Sequence, residues 1–568
     1  MSDEAVTPTF DCNTDLLVIG SGAAGLSAAS VAVQQQRSVM VLEKSPWIGG
    51  TSATSGGGVW IPGSPRAPEA DNPEDAFNYL RALAGEAVTN ARIAAFVKQA
   101  PLMLEWFATH TELNFVSVPY PDYHQETVGA RTGWRTHFPV DFDGKRLGPL
   151  VNRIREASPA ASFLGIINWT LAETHVLLHR PPAWQWVFLK MIWRYLGDIP
   201  QRLRSRRDRY LTLGNAIIGA LTHYLAENGV AIHTEASPQE LICDDSGAVI
   251  GARVTLQGRT VCIRAKAVVI ATGGFERNAM LRKRYLPTAG QNPEMSGSQD
   301  GNTGDALALC EKVDAGLLNM DSAWWAPVFK VPGEYRARLC AFERAFPGCI
   351  MVNQDGERYM NEAVSYHVAA QKMIAIDSEA HNASPSWIIF DSTFRHHYPM
   401  GPLLPIPLLL HSRAVRETVI KANDLEELAV KTGLPEQGLS ATLERFNEYA
   451  AQGHDPDFGR GASEYDRYYG DPRVSPNPTL APIKKPPYFA MLLHIGDIGT
   501  NGGLATNEHA QVLNRTGTPV AGLYAAGNCS ASVMGHCYPA AGGTLGPALT
   551  FGFIAARHAL GVTTEDCG

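Results

Sequence analysis

The chain has 568 residues, enough for two domains or more, and a formal net charge of −8, which excludes a generic nucleic-acid footprint. Hydrophobic residues make up 45% and charged residues 18%, the balance of a globular protein with a large core. The nine cysteines form no C-x-x-C pair, so no metal site is expected; the acidic opening MSDEAVTPTFDCNTD lacks a signal peptide's apolar core, and the expected setting is cytoplasmic with reduced thiols.

The first element is an apolar run at 16–19, read as a strand buried on both faces. It enters Gly20-Ser21-Gly22-Ala23-Ala24-Gly25, then a helical pattern to 33, then a second apolar run at 38–42 that ends at Glu43. Strand, glycine turn, helix, strand, acid is the order of a dinucleotide fingerprint. Gly20 permits the tight turn, Gly22 keeps side-chain atoms off a pyrophosphate, and Gly25 lets helix and strand approach. The helix N-terminus offers free N–H groups to phosphate, and Glu43 can accept from a ribose hydroxyl. A second glycine-dense stretch follows, Gly49-Gly50-Thr51-Ser52 and Gly56-Gly57-Gly58.

Residues 71–110 show helical spacing, read as helices broken near Gly85 and at Pro101. The aromatic stretch 118–124 carries two prolines and reads as a loop. Residues 160–209 combine four tryptophans, aliphatic residues and the arginines 202, 204, 206, 207 and 209. No segment reaches the ~20 apolar residues of a bilayer span, but the mixture suits an interfacial element on anionic lipid, or else an inter-domain or oligomer helix pair. Residues 211–227 form an amphipathic helix, and 230–270 turn to β pattern, ending in Thr272-Gly273-Gly274. From 301 to 484 prolines are frequent and no fingerprint recurs, which reads as an inserted domain. Glycine turns return from about 485, with Gly527-Asn528 and then Tyr538-Pro-Ala-Ala-Gly542-Gly543-Thr544-Leu545 leading into a closing helix over 549–560 that should begin near Thr544. Cys529 and Cys537 read as small packing residues.

These segments resemble the flavoprotein family of fumarate reductase and the succinate dehydrogenase flavoprotein subunit, and within it the bacterial 3-ketosteroid Δ1-dehydrogenases. GSGAAGL, VLEK, GGTSATSGGGVW and GLYAAGN carry the superfamily likeness. The tyrosine segments YPDYH at 120–124, GERYMNEAVSY at 356–366, FGRGASEYDRYYGDP at 458–472 and CYPAAGGTLGPALTFG carry the steroid-enzyme likeness; GNTGDA at 301–306 and GDIGTNGGLAT at 496–506 also match, and the similarity spans nearly the whole chain apart from about 150–205. The resemblance implies an α/β fold: a Rossmann-like FAD-binding domain, 1–300 and 485–568, with an inserted α+β substrate-capping domain, 301–484. It implies FAD rather than NAD, bound non-covalently because the stretch after Gly50 has no histidine.

The implied reaction removes hydrogens from C1 and C2 of a 3-ketosteroid. Tyr366 matches the base tyrosine, Tyr123 its supporting tyrosine, Tyr538 the hydroxyl donor to the C3 carbonyl and Gly542 the backbone N–H donor. From spacing alone each tyrosine reads as a core residue with its hydroxyl satisfied at the edge. A phenol's pKa of ~10 requires that the base be acidified or its proton relayed. The cofactor residues implied are Gly20, Ser21, Gly22, Ala24, Gly25, Glu43, Lys44, Gly50, Thr51, Ser52, Gly57, Gly58, Gly273, Asp305, Gly527, Asn528 and Leu545. Asp305 reads equally as a helix N-cap. The family proline before the base and glycines after Tyr538-Pro are replaced by Ser365 and Ala540-Ala541, which bears on substrate preference. The competing readings are a flavin ketosteroid dehydrogenase of other regiochemistry, a fumarate-reductase-like enzyme, and a membrane-peripheral flavin electron carrier. A quinone acceptor follows if 160–209 touches a membrane.

Overall fold

The computed structural model describes residues 9–380 and 382–562, so the start of the acidic opening stretch and Cys567 lie outside the described residues. The fingerprint strand runs from Cys12 to Ile19 and is the spine of an eight-stranded sheet. Five of its strands are parallel: Ile232–Thr234, Val39–Glu43, Cys12–Ile19, Arg259–Ile270 and Pro519–Ala525. Arg259–Ile270 is long enough to pair twice on its far edge. Its first half meets Val249–Leu256 antiparallel, and its last residues meet Pro519–Ala525. Leu16, Leu17, Val18 and Ile19 are buried on both faces, as their unbroken apolar run requires.

The fingerprint helix, Ala23–Gln34, packs against the last helix, Leu545–Ala559. The approach is so close that a Cβ on Gly552 would lie 2.2 Å from the Ala24 carbonyl oxygen. The last helix starts at Leu545, with Thr544 as N-cap, one turn before the apolar run that marks it in sequence.

A second, antiparallel sheet has the order Arg338–Leu339, Ala323–Phe329, Tyr488–Thr500, Ser386–Phe390, Cys349–Val352, with Ile420–Ala422 also on Tyr488–Thr500. The whole of Tyr488–Thr500 belongs to it. The chain therefore rejoins the first sheet only at Gln511, not near 485.

Pro101 does not break its helix: Asn90–His110 runs straight through it. The ring removes one N–H, but the buried face of Phe96, Val97, Ala100, Met103 and Leu104 continues across the site and holds both halves. Residues 160–209 fold into the helices Leu171–His179, Trp184–Leu196 and Ile199–Arg202. Among the described residues no helix is long and apolar enough to cross a membrane.

Candidate active site

The C-terminal ends of the parallel strands open into a cavity of about 980 Å³ that runs on beneath the second sheet and the 158–188 segment. The three fingerprint glycines divide the work there. Gly20 has φ +115°, and a Cβ would lie 2.2 Å from the Ala271 carbonyl oxygen. On Gly25 a Cβ would lie 2.0 Å from the Gly20 carbonyl oxygen. Gly22 has only Ser52 Oγ near, at 3.5 Å, and faces the cavity. It is also the N-cap of Ala23–Gln34 and has no side chain of its own to cap that helix end. An open glycine at a helix N-terminus is a cradle for phosphate.

Glu43 ends its strand at the cavity wall and braces the turn, accepting from Ser21 Oγ at 2.6 Å and from the Ser45 N–H at 2.9 Å. Ser52 Oγ accepts from the Ala23 N–H at 3.1 Å. Lys44 and Asp305 meet at 2.7 Å on the rim. Asp305 is the first residue of Asp305–Leu309, and the N-cap is Gly304, so the capping role does not apply. Every cofactor residue named from the sequence lines this cavity except Gly25, whose part is helix–strand packing. Two lining residues escaped the sequence reading. Asn302 donates to Thr51 Oγ1 at 3.1 Å and to buried Glu276, and Gln299 donates to Asn302. They sit in an irregular loop with no periodicity to mark them.

The three tyrosines converge at the other end. Ring centroids of Tyr123 and Tyr538 are 5.7 Å apart and stacked; those of Tyr366 and Tyr538 are 5.4 Å apart; those of Tyr123 and Tyr366 are 5.9 Å apart and edge-on. All three are buried and line the cavity. Tyr123 is held by its loop. Its N–H donates to the Pro539 carbonyl at 2.8 Å, and its neighbour Asp122 accepts from Trp60 Nε1 at 2.9 Å and pairs with Arg135 at 2.8 Å. Cys537, expected only to pack, sits with its sulfur 3.1 Å from His124 Nε2 and adds a second tie between the same two loops. Tyr366 opens the helix Tyr366–Ala380; the next residue, His367, donates from Nε2 to the His536 carbonyl at 3.1 Å. Trp324 stands edge-on to Tyr538 at 5.0 Å and donates to Asn528 Oδ1 at 3.3 Å, joining the two ends of the site.

Gly542 has φ +96°, and a Cβ there would lie 2.5 Å from the Trp60 nitrogen. Its carbonyl accepts from the Trp60 N–H at 3.2 Å, while its own N–H faces Tyr538. Burial raises the Tyr538 hydroxyl above the ordinary phenol range, but hydrogen bonds with Thr544, Tyr366 and the Gly542 main chain pull it back. Burial holds Tyr366 well above that range, and Tyr123 and Tyr538 reinforce it.

Aliphatic and aromatic groups of 158–188, with Leu339, Phe342 and Ile406, cover the cavity beyond the tyrosines. The 160–209 element thus has one face on the site. Its other face is exposed at Trp186, Leu189, Trp193 and Leu196. Of its arginine run, Arg209 is paired with Asp198, while Arg204 and Arg206 are exposed; Arg194, outside the run, is paired with Glu173.

A family model described as FAD binding domain matches residues 15–545. A 3-oxosteroid 1-dehydrogenase of Mycobacterium tuberculosis is 37% identical over 96% of this chain and 98% of its own. A 4-oxocyclohexanecarboxylate 2-dehydrogenase of Sinomonas cyclohexanicum is 35% identical over 96% of this chain and 93% of its own. The crystal structure of 3-ketosteroid Δ1-dehydrogenase from Sterolibacterium denitrificans, in complex with 1,4-androstadiene-3,17-dione, superposes with a TM-score of 0.94 at 41% identity, covering 97% of this chain and 100% of that one.

Proposed function

Because the chain belongs to the FAD binding domain family, and to its branch of 3-oxosteroid 1-dehydrogenases, we propose that it is an FAD-dependent enzyme that introduces the 1,2 double bond into 3-ketosteroids. The observation that carries the proposal is the meeting of three buried tyrosines with the dinucleotide cradle in one cavity. FAD, when bound, supplies the acceptor for the hydride that leaves C1. In this reading the first sheet is a Rossmann-like FAD-binding domain and the second sheet belongs to a domain that caps the substrate. The absence of histidine from 49–58 supports non-covalent attachment.

The chain's own groups account for the rest. The Tyr538 hydroxyl and the Gly542 N–H stand side by side in the cavity wall, and both donate to the C3 carbonyl oxygen in this reading, so the C2 proton is acidified as negative charge moves to that oxygen. Tyr366 receives the C2 proton. A buried phenol cannot hold a phenolate at rest, so Tyr366 passes its own proton to Tyr123 as the C2 proton arrives, and Tyr123 releases its own in turn along Tyr120 toward half-buried Tyr468. Apolar walls exclude water, which suits a ring system with a single polarised carbonyl better than an ionised small acid.

The exposed aromatic face of 160–209, beside a cavity that takes an apolar substrate, supports peripheral contact with a membrane and a quinone as electron acceptor. The reaction is tested by incubating the purified protein with androst-4-ene-3,17-dione and an artificial electron acceptor. The product is lighter by two hydrogens, with the new double bond at C1–C2. A double bond elsewhere, or recovery of unchanged steroid, refutes the proposal.

A further inference from the structure

Arg92 is one of the buried arginines held without a carboxylate, as are Arg344 and Arg395, which main-chain carbonyls hold instead. Arg135, Arg282 and Arg460 each face a buried carboxylate. Arg92, near the start of Asn90–His110 and 4% exposed, has no carboxylate partner among the described residues. Its Nη2 donates to the Ala531 carbonyl at 2.8 Å, its guanidinium lies 5.4 Å from the Phe551 ring centroid, and its Nε has no hydrogen-bond partner. Beside it is a cavity of about 20 Å³, room for one water. Asn501 lines the same space, and its side-chain oxygen and nitrogen also lack partners.

This small cavity shares Gly527, Asn528, Thr544 and Ala548 with the large one. The two are separated by a single wall, formed by the turn after Pro519–Ala525 and the start of the last helix. Loss of hydration lowers the Arg92 pKa to about 10, which leaves the guanidinium charged at neutral pH. A buried cation without a counter-charge is costly. Here the charge sits in a small cavity that shares a wall with the large one, in a medium that screens poorly.

We propose that Arg92 is a redox-tuning residue, whose buried charge stabilises the reduced cofactor over the oxidised one and so favours electron transfer from the steroid. The proposal rests on the FAD reading above. It assigns Arg92 no contact with substrate; the residue acts through the wall that holds Asn528 and Thr544. The charge, rather than the shape, is what matters.

The test is the flavin midpoint potential of FAD-loaded protein, measured by dye equilibration for the parent, Arg92→Gln, Arg92→Lys and Asn501→Asp. Asn501→Asp puts a carboxylate across the small cavity from the guanidinium and leaves Arg92 in place. Arg92→Gln and Asn501→Asp are expected to shift the reduction equilibrium at least about tenfold toward oxidised flavin, which is ~30 mV for a two-electron couple. Arg92→Lys keeps the parent value. Unchanged potentials in Arg92→Gln and Asn501→Asp overturn the proposal, as does a fall in Arg92→Lys equal to that in Arg92→Gln, or an effect confined to FAD affinity. Should Arg92→Gln fail to fold, Asn501→Asp and Arg92→Lys decide on the same terms. A parent protein that binds no FAD defeats the functional reading instead, before any variant is compared.

Discussion

The rings of Tyr366 and Tyr538 lie 5.4 Å apart at 64° and line the same cavity. The Tyr538 oxygen accepts from Thr544 Oγ1 at 3.1 Å, so its own hydrogen is left for an incoming carbonyl. Tyr366, between the rings of Tyr123 and Tyr538, is placed to take a proton. Replacing Tyr366 by Phe removes the acceptor but none of the cradle. The variant is expected to keep its flavin and lose about 10²–10⁴-fold in turnover, the range for a missing general base. Steady-state rates on androst-4-ene-3,17-dione check this, and near-parent rates exclude Tyr366 as base.

Gly542 cannot carry a side chain. Its φ is +96°, and the backbone of Val59 and Trp60 occupies the place of a Cβ at 2.5–2.6 Å. Gly542→Ala must therefore displace the N–H that stands beside the Tyr538 hydroxyl. The expected loss is about 10²–10³-fold in turnover, that of one missing carbonyl donor, with flavin content retained. Full activity with bound flavin would move the carbonyl site elsewhere.

The fingerprint glycines give a contrast that thermal melting and flavin absorbance read together. Gly25→Ala meets the Gly20 carbonyl, and Gly20→Ala meets that of Ala271, so both lower the melting temperature. Gly22→Ala meets nothing closer than 3.5 Å and keeps the fold, but its methyl group enters the phosphate cradle. FAD affinity falls in that variant while the melting temperature of the flavin-free protein stays near the parent value. The reverse pattern would contradict the division of roles.

Stability should fall on mild acidification. Burial lowers the pKa of His137 from 6.5 to about 4. Its Nδ1 meets the Arg135 carbonyl at 3.0 Å and so carries the hydrogen, leaving Nε2 to accept from Ser64 Oγ at 2.8 Å. A depressed histidine pKa means that the unfolded chain takes up the proton first. Stability is thus intact above about pH 6.5 and is lost progressively toward pH 4, by about 3 kcal/mol in all. His137→Gln should flatten that part of the melting-temperature profile between pH 7 and 5. An equally steep profile in the variant removes His137 as the cause.

The segments that sequence reading placed correctly are those in which one local rule dominates. The run at 16–19 could only be a doubly buried strand, and each fingerprint glycine had its own steric reason. Where several weak rules compete, reading failed. Pro101 argued for a break, but the buried stripe on either side of it outweighed one lost hydrogen bond. Tyr488–Thr500 looked like the return to the first sheet because its glycine-rich end resembles the other strand ends; its partners are fixed by distant strands that no local pattern announces. The tyrosine cluster was legible only by resemblance, since side chains brought together from residues 123, 366 and 538 leave no spacing to read. Asn302 lies in the GNTGDA segment that carried the resemblance but was given no role there, and Gln299 had neither pattern nor resemblance to mark it.

Peripheral membrane contact makes a separate demand on the exposed face of Trp184–Leu196. Trp186 is 72% and Trp193 73% exposed, seven residues apart and so on one side of the helix. The double variant Trp186→Ser, Trp193→Ser leaves the cavity walls alone and is expected to abolish flotation with anionic liposomes. An unchanged floating fraction removes the membrane from the account.

The account depends above all on a steroid ring pinned by Tyr538 and Gly542 while Tyr366 takes its proton. Anaerobic mixing of the FAD-loaded protein with a 3-ketosteroid, followed by flavin absorbance, tests this most directly. The prediction is stoichiometric bleaching in the parent protein, with none on the same timescale in Tyr366→Phe. Absence of bleaching with every 3-ketosteroid tried, or bleaching at the same rate in Tyr366→Phe, would contradict it.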